Sequence, residues 1–277
     1  MKLGRSGYYY KEIKGRVPKQ ADRDLSDKIE YLQAHYSCYG YRTIKPQLRA
    51  VYGMVVNGKR IKRVMREKGL FRKANRRFIH TTDSAHPFRI YPNLVLNKEL
   101  TDINQVWVAD ITYIRIWRGF VFLAVVLDVY SRRVVGWALS RSIDHRLTVA
   151  ALEMALAMRN PGEGLIHHSD QGIQYACHDY VEILNRHQIQ ISMASRGNPY
   201  QNAYAESFMK TLKNEEVYLW EYETFEDVVE RIPTFIEEVY NRKRVHSGIH
   251  YLTPEKFEIN LRHERYNKQM GQTPLFL

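Results

Sequence analysis

The sequence predicts an α/β protein in which a mixed sheet is flanked by helices and preceded by a small all-helical module. Three observations support this fold class. Residues 1–105 contain 23 Lys and Arg against 9 Asp and Glu, a charge of +14, and residues 106–277 contain 19 against 21, a charge of −2, so the basic excess behind the net +12 lies wholly in the first third. Helical periodicities fill that basic third, and β-branched strand patterns begin at Val106. A basic module attached to a near-neutral body is typical of proteins that bind a polyanion.

The basic third is predicted to contain three short helices over residues 24–36, 42–52 and 58–68, with Asn57 as the N-cap of the third helix. We expect a basic arm or helix over residues 1–35 and a helix-turn-helix module over residues 36–79. The apolar residues expected to face inward are Leu25, Ile29, Leu32, Ile44, Leu48, Val51, Ile61, Val64 and Met65. The cations expected to contact DNA phosphates are Lys59, Arg60, Lys62, Arg63, Arg66, Arg76 and Arg77. The alternative is a small helical bundle with an ordinary charged face.

Residues 80–104 contain Pro87 and Pro92 and are expected to form a linker, followed by a core over residues 105–260 and a tail over residues 261–277. The core is predicted to start with an antiparallel meander of strands over residues 106–116, 120–130 and 133–139. Next come a helix over 143–159, a strand over 165–169, a helix over 178–187, a strand over 189–193 and a helix containing Glu206. This β-β-β-α-β-α-β-α order matches an RNase H-like fold.

The end of the chain is less regular in pattern. Thr224 is expected to cap a further amphipathic helix, and Pro233 should kink it because its ring removes a backbone donor and clashes with the preceding turn. Residues 258–277 show little pattern, so no element is predicted there.

Three carboxylates stand where an acid has little structural reason to be. Asp110 interrupts a β-branched and aromatic strand, Asp170 follows a short apolar strand, and Glu206 flanks the buried stripe of its helix. A charge in such a strand is costly unless it faces water, a partner or a metal. Carboxylates from two strands and a helix form the oxygen-rich set that magnesium prefers, so we expect a magnesium site.

Several longer motifs occur together with these acids. They are Trp107–Ile114, Leu127–Trp137, His168–Gly172, Ala205–Phe208, Tyr240–Asn241 and Thr253–Pro254, together with Tyr39–Arg42 near the start, and 35 residues separate Asp170 from Glu206. The ordered set resembles the insertion-sequence transposases of the retroviral-integrase (DDE) superfamily, specifically the catalytic second-frame protein of the group typified by insertion sequence three. The resemblance covers about residues 36–258, although Gln201 replaces the Asp of many relatives and no His/Cys zinc domain is evident.

The resemblance implies an enzyme that cleaves phosphodiester bonds at transposon ends and transfers the freed strand. It implies that Asp110, Asp170 and Glu206 are the catalytic metal ligands, that Asp110 bridges two magnesium ions, and that manganese can substitute. The implied partners are double-stranded DNA, namely terminal inverted repeats and target DNA, and further copies of the chain on that DNA. An upstream helix-turn-helix partner, or a fusion to it by frameshifting, is also implied.

Some residues keep alternatives open. If Ile116 pairs with Phe120 across a turn at residues 117–119, Asp128 lies opposite Val108 on the sheet face of Asp110. Asp128 is then either a fourth acid near the metals or a partner of Arg132 or Arg133. His167 and His168 are expected to be structural rather than to contact DNA. Lys210 and Lys213 either hold a terminal phosphate or form a solvated helix face. Three cations beyond them are expected to contact DNA, with a helix-end cluster as the alternative: Arg242, Lys243 and Arg244.

Two other classes of protein compete with a transposase: a cellular RNase H-like nuclease and a non-catalytic DNA-binding regulator derived from a transposase. The helix-turn-helix module and the C-terminal motifs argue against the first, and the three intact acids argue against the second. Two distant cysteines give no disulfide framework, and the longest apolar run, residues 120–127, is too short to span a membrane. The expected location is therefore the bacterial cytoplasm, at the nucleoid.

Overall fold

The computed structural model describes residues 20–35, 39–70, 87–195 and 202–270. The chain divides into two compact units, residues 1–73 and residues 74–277. The predictions for residues 1–19, Arg76, Arg77, Gln201 and residues 271–277 lie outside the described part. Within that part, no helix is long and apolar enough to cross a bilayer.

The first unit contains the three predicted helices, α1 (Gln20–His35), α2 (Tyr41–Tyr52) and α3 (Gly58–Glu67). The Asn57 side chain accepts a hydrogen bond from the Lys59 N–H, which confirms the predicted N-cap. Gly53 ends α2 in the left-handed conformation, with φ of +63°. The predicted apolar residues form the core, with one exception: Val51, in the last turn of α2, is 56% exposed.

The second unit is built on a five-stranded mixed sheet in the order β3-β2-β1-β4-β5. The strands are β1 (Val106–Ile116), β2 (Gly119–Asp128), β3 (Val134–Ser140), β4 (Ile166–Ser169) and β5 (Gln190–Met193). The first three form the predicted antiparallel meander, and β4 and β5 join it in parallel. The predicted RNase H-like α/β fold is confirmed by this order and by the flanking helices.

The register of the first hairpin differs from the prediction by one residue. Ile116 pairs with Gly119, so the turn consists of Trp117 and Arg118, and Asp128 lies opposite Trp107 instead of Val108. Gly119 has a φ of +104°, a conformation that favours glycine. Because side chains alternate between faces, a shift of one residue moves Asp128 to the face opposite Asp110.

Helices cover both faces of the sheet. One face is packed by α4 (His145–Arg159), α5 (Ile173–Ala176) and α6 (His178–Arg186), and the other by α7 (Ala203–Glu215) and α8 (Phe225–Thr234). At Gly136 in β3, an added Cβ would lie 2.2 Å from the Ala151 carbonyl oxygen, so only glycine allows α4 to pack this closely. The face under α7 is the face to which Asp110 belongs.

The C-terminal region contains an irregular helix beside Pro233 and a long helix that was not predicted. Immediately after Pro233, α8 gives way to a π-helix over Phe235–Asn241. Helix α9 (Pro254–Gln269) then runs across the predicted border between core and tail at residue 260. Its anchor is Glu258, which is fully buried and pairs with Arg133 and Arg159. A helix anchored by a buried charge lacks the apolar stripe that sequence patterns detect.

A candidate active site formed by two strands and a helix

Asp110 and Asp170 are brought together by the parallel pairing of β1 and β4. Val106 pairs with Ile166 and Val108 pairs with His168, so two residues further along both strands Asp110 and Asp170 come level. Each carboxylate accepts one backbone hydrogen bond, Asp110 from the Ile111 N–H and Asp170 from the Gly172 N–H, both at 2.9 Å. Both side chains are half-buried, at the end of β4 where the sheet opens.

Glu206 is placed by α7, which covers the same face of the sheet. The predicted stripe of Ala205, Phe208, Met209 and Leu212 is buried against the sheet, and Glu206 is exposed one position round the helix. The helix and β1 are joined directly, because the Asn202 Nδ2 atom donates to the Ala109 carbonyl oxygen at 3.2 Å. This hydrogen bond connects the residue before Asp110 to the N-terminal end of the helix that carries Glu206.

The bond from Asn202 replaces a missing strand contact. The Gln105 carbonyl accepts from the Ile166 N–H, so alternate carbonyls along β1, including that of Ala109, face β4. Because β4 ends at Ser169, the Ala109 carbonyl would lose its partner if Asn202 did not supply a donor. The Asn202 side chain is buried, and among the described residues its Oδ1 atom has no hydrogen-bond partner.

The charges of the other two acids act on Asp110. The pKa of Asp110 is raised to about 8, first by burial and then by the negative charge of Asp170, with a smaller contribution from Glu206. Burial also raises the pKa of Glu206. Lys213 opposes the effect on Asp110, and its own pKa is lowered by burial. Asp110 is therefore a carboxylate that a nearby cation would keep ionised.

The donor set fits a hard divalent cation such as magnesium, which prefers carboxylate oxygens. Among the described residues, however, no group of three or more His, Cys, Asp and Glu side chains is close enough to hold an ion. Repulsion among the three anions opposes a closer approach in the absence of positive charge. The site thus offers the ligand atoms that magnesium prefers, but the three carboxylates are too far apart to bind one ion together.

Two basic side chains of α7 lie on the flank that carries Glu206. The Lys213 Nζ atom lies over the ring of Tyr113, 4.6 Å from its centroid, and its charge acts on Asp110. Lys210, one turn nearer the start of the helix, is exposed to solvent. Of the two, Lys213 is the one that the fold places beside the acids.

Three polar residues near the acids have structural roles. The Asp128 carboxylate is buried and accepts hydrogen bonds from the backbone N–H groups of Asn104, Tyr130 and Ser131 and from the Ser131 hydroxyl. Both expectations for Asp128, metal ligation and an arginine pair, are therefore wrong. His167 bonds to the Tyr180 hydroxyl and His168 to the Ser192 hydroxyl, each at 2.8 Å, which confirms their structural role.

The predicted DNA-contacting cations differ in their surroundings. In the first unit, Arg60 and Arg63 both pair with Asp22 of α1, and Lys62 lies over the Tyr41 ring at 4.1 Å. Lys59 and Arg66 are exposed. In the second unit, Arg244 forms a bidentate pair with Glu215, Arg242 pairs with Glu238 and Glu255, and Lys243 is exposed.

Comparison with known proteins assigns the two units to families. Residues 19–78 match the model of an HTH-like domain, and residues 101–199 and 187–254 match two models of the integrase core domain. Among solved structures, the HTLV-2 integrase catalytic core domain in complex with magnesium is 16% identical, with a TM-score of 0.41 over 56% of this chain and 96% of that chain.

Curated relatives extend over nearly the whole chain. A 31 kDa protein of insertion element IS600 from Shigella sonnei is 39% identical over 261 residues, covering 92% of this chain and 94% of that protein. The transposase InsF for insertion sequence IS3A from Escherichia coli (strain K12) is 38% identical over 264 residues, covering 93% and 91%. The chain belongs to the transposases of IS3-family insertion sequences, which are enzymes of the integrase type with an HTH-like N-terminal domain.

Proposed function

We propose that this transposase cleaves DNA at the ends of its element and joins the freed 3′-hydroxyl to target DNA, using Asp110, Asp170 and Glu206. The observation that supports this most directly is the strand pairing that brings Asp110 level with Asp170, close enough that the charges of Asp170 and Glu206 both raise the pKa of Asp110. Glu206 lies on the helix that packs over the same face of the sheet. Sites that concentrate like charges in this way are often functional.

Asp110, Asp170 and Glu206 would together hold two magnesium ions through their carboxylate oxygens. Magnesium or manganese, when bound, supplies Lewis-acid activation of the attacking oxygen and stabilisation of the leaving oxygen. Lys213 would offer its ammonium group to a phosphate beside the acids, and Asn202 would hold the Glu206 helix against β1.

The HTH-like unit would supply much of the affinity for the terminal inverted repeats. Helix α3 presents Lys59 and Arg66 to solvent, where they can contact phosphates of the duplex. The integrase-type core would then act on the transposon end and on target DNA within an assembly of several copies. An upstream helix-turn-helix partner, separate or fused, would complete recognition of the end.

The test is cleavage and joining of a labelled oligonucleotide that carries the element's own end, with magnesium or manganese and with the upstream partner supplied. Asp110→Asn, Asp170→Asn and Glu206→Gln keep the side-chain shapes but remove the anionic oxygens. We expect each to lose both reactions while end binding persists, and the losses should not add, because one missing ligand already disables a shared site. The matched control is Glu153→Gln, an exposed acid on α4, which should stay active.

Two results would contradict the proposal. Full cleavage and joining by Glu206→Gln would remove Glu206 from the ligand set. Activity in all three amide variants would exclude the carboxylate mechanism altogether.

A further inference from the structure

The hairpin between β1 and β2 exposes aromatic rings where its strands leave the site. Trp117, at the tip, is 78% exposed, and Phe120 is 40% exposed. The Tyr113 and Phe120 rings meet edge to face, with centroids 5.3 Å apart at 86°. An exposed tryptophan contributes nothing to the core of the domain, and burial of its large ring would be favourable.

Two arginines alternate with these rings. Arg115 and Arg118 are exposed, and within the described part of the chain neither forms an ion pair with a carboxylate. Residues 113–120 contain no acid. The groove beside the hairpin tip is also lined by Glu223 and Glu226, but Arg141 pairs with Glu226 at 3.0 Å. The tip is therefore positively charged as well as aromatic.

Lys213 links this surface to the acids of the site. Lys213, whose charge acts on Asp110, places its Nζ atom over the Tyr113 ring. Tyr113 contacts Phe120, which pairs with Arg115 across the hairpin. We call Tyr113, Arg115, Trp117, Arg118 and Phe120 the hairpin surface.

We propose that the hairpin surface binds an unpaired DNA strand beside the cleavage position, with its rings stacked on bases and its arginines on phosphates. This inference rests on the proposed function, and it assigns a binding surface to the DNA strand that lies next to Asp110. Alternating rings and cations on an open surface are the arrangement that binds single strands, because every base has a face to stack and every link a phosphate. A partner protein would instead be expected to meet a larger apolar area than these few rings offer.

The test uses the full-length chain in EDTA, so that DNA binds without cleavage. Its probes are two end oligonucleotides, one fully duplex and one with a single-stranded extension beside the cleavage position. Trp117→Ala should weaken binding of the extended DNA about ten-fold, the loss expected for one stacked base, and should weaken duplex binding much less. Trp117→Phe should restore most of the affinity, since it keeps a ring.

The matched control is Trp220→Ala. Trp220 is also exposed, at 51%, but Arg231 stacks on it at 3.6 Å and it lies outside the hairpin. We expect binding of both oligonucleotides to be unchanged in this variant. The double change Arg115→Ala and Arg118→Ala should reduce the slope of log K against log salt by about 1.4 on the extended DNA.

The inference is overturned if Trp117→Ala binds the extended DNA within two-fold of the wild type, or if Trp220→Ala loses as much. Its failure is distinguishable from failure of the proposed function, because Asp110→Asn is assayed for cleavage on the same oligonucleotides. An active Asp110→Asn rejects the carboxylate mechanism, whereas unaltered binding by Trp117→Ala rejects only the hairpin surface.

Discussion

Replacement of Asp110 by asparagine should stabilise the metal-free protein, and the gain should grow with pH. The pKa of Asp110 rises from 3.8 to about 8 on folding, so between these values the folded state binds a proton that the unfolded state releases. Stability therefore falls as the pH rises from about 4 to about 8. Asparagine does not titrate, so Asp110→Asn removes this loss.

The size of the effect follows from the same shift. At about 1.4 kcal/mol for each pKa unit, a shift of about four units corresponds to about 6 kcal/mol for a carboxylate shielded fully from solvent. Asp110 keeps part of its surface exposed, so screening should reduce the gain to about 2–3 kcal/mol at pH 8.5. Below pH 4 the two proteins should have nearly equal stability.

The assay is urea unfolding in EDTA at pH 4, 6 and 8.5, followed by far-UV circular dichroism. Glu153→Gln serves as the control, and its difference from the wild type should not depend on pH. Added magnesium should stabilise the wild type at pH 8.5 and should have less effect on Asp110→Asn. The reasoning is refuted if Asp110→Asn is equally or less stable than the wild type at pH 8.5, or if its gain does not change between pH 4 and pH 8.5.

Two further predictions concern how the helices are held and how they bind. Asn202→Ala should raise the magnesium concentration needed for half-maximal cleavage about ten-fold without changing end binding. The control Asn241→Ala removes another buried amide, bonded to β3, and should lower the melting temperature but leave that magnesium concentration unchanged. Parallel shifts in both variants would show that Asn202 is only structural. The double variant Lys59→Ala and Arg66→Ala should reduce the slope of log K against log salt for end binding by about 1.8, measured by fluorescence anisotropy. Arg60→Ala should change this slope less, because Asp22 already pairs with the Arg60 side chain. Equal slopes for all of these proteins would show that α3 does not contact the DNA.

The sequence alone determined the elements that depend on local periodicity. Alternating β-branched residues predicted β1, and the apolar stripe ending at Leu212 predicted the buried face of α7. Both patterns indicate which side of an element is buried. The cap at Asn57 was likewise visible, since it needs only its own neighbours. Motif order was enough to identify the family, and the interval from Asp170 to Glu206 was part of that identification.

The tertiary structure decided what depends on residues far apart in the chain. A turn shorter by one residue moved Asp128 to the other face of the sheet, and alternation along a single strand cannot reveal register between strands. Glu258 anchors α9 through ion pairs with arginines about a hundred residues away. Asp22 of α1 forms ion pairs with arginines of α3. The bond from Asn202 to β1 exists only because β4 stops short, so its donor is needed at that one carbonyl. Charge pairing and strand ends are set by three-dimensional neighbours, whereas periodicity is set by the next few residues.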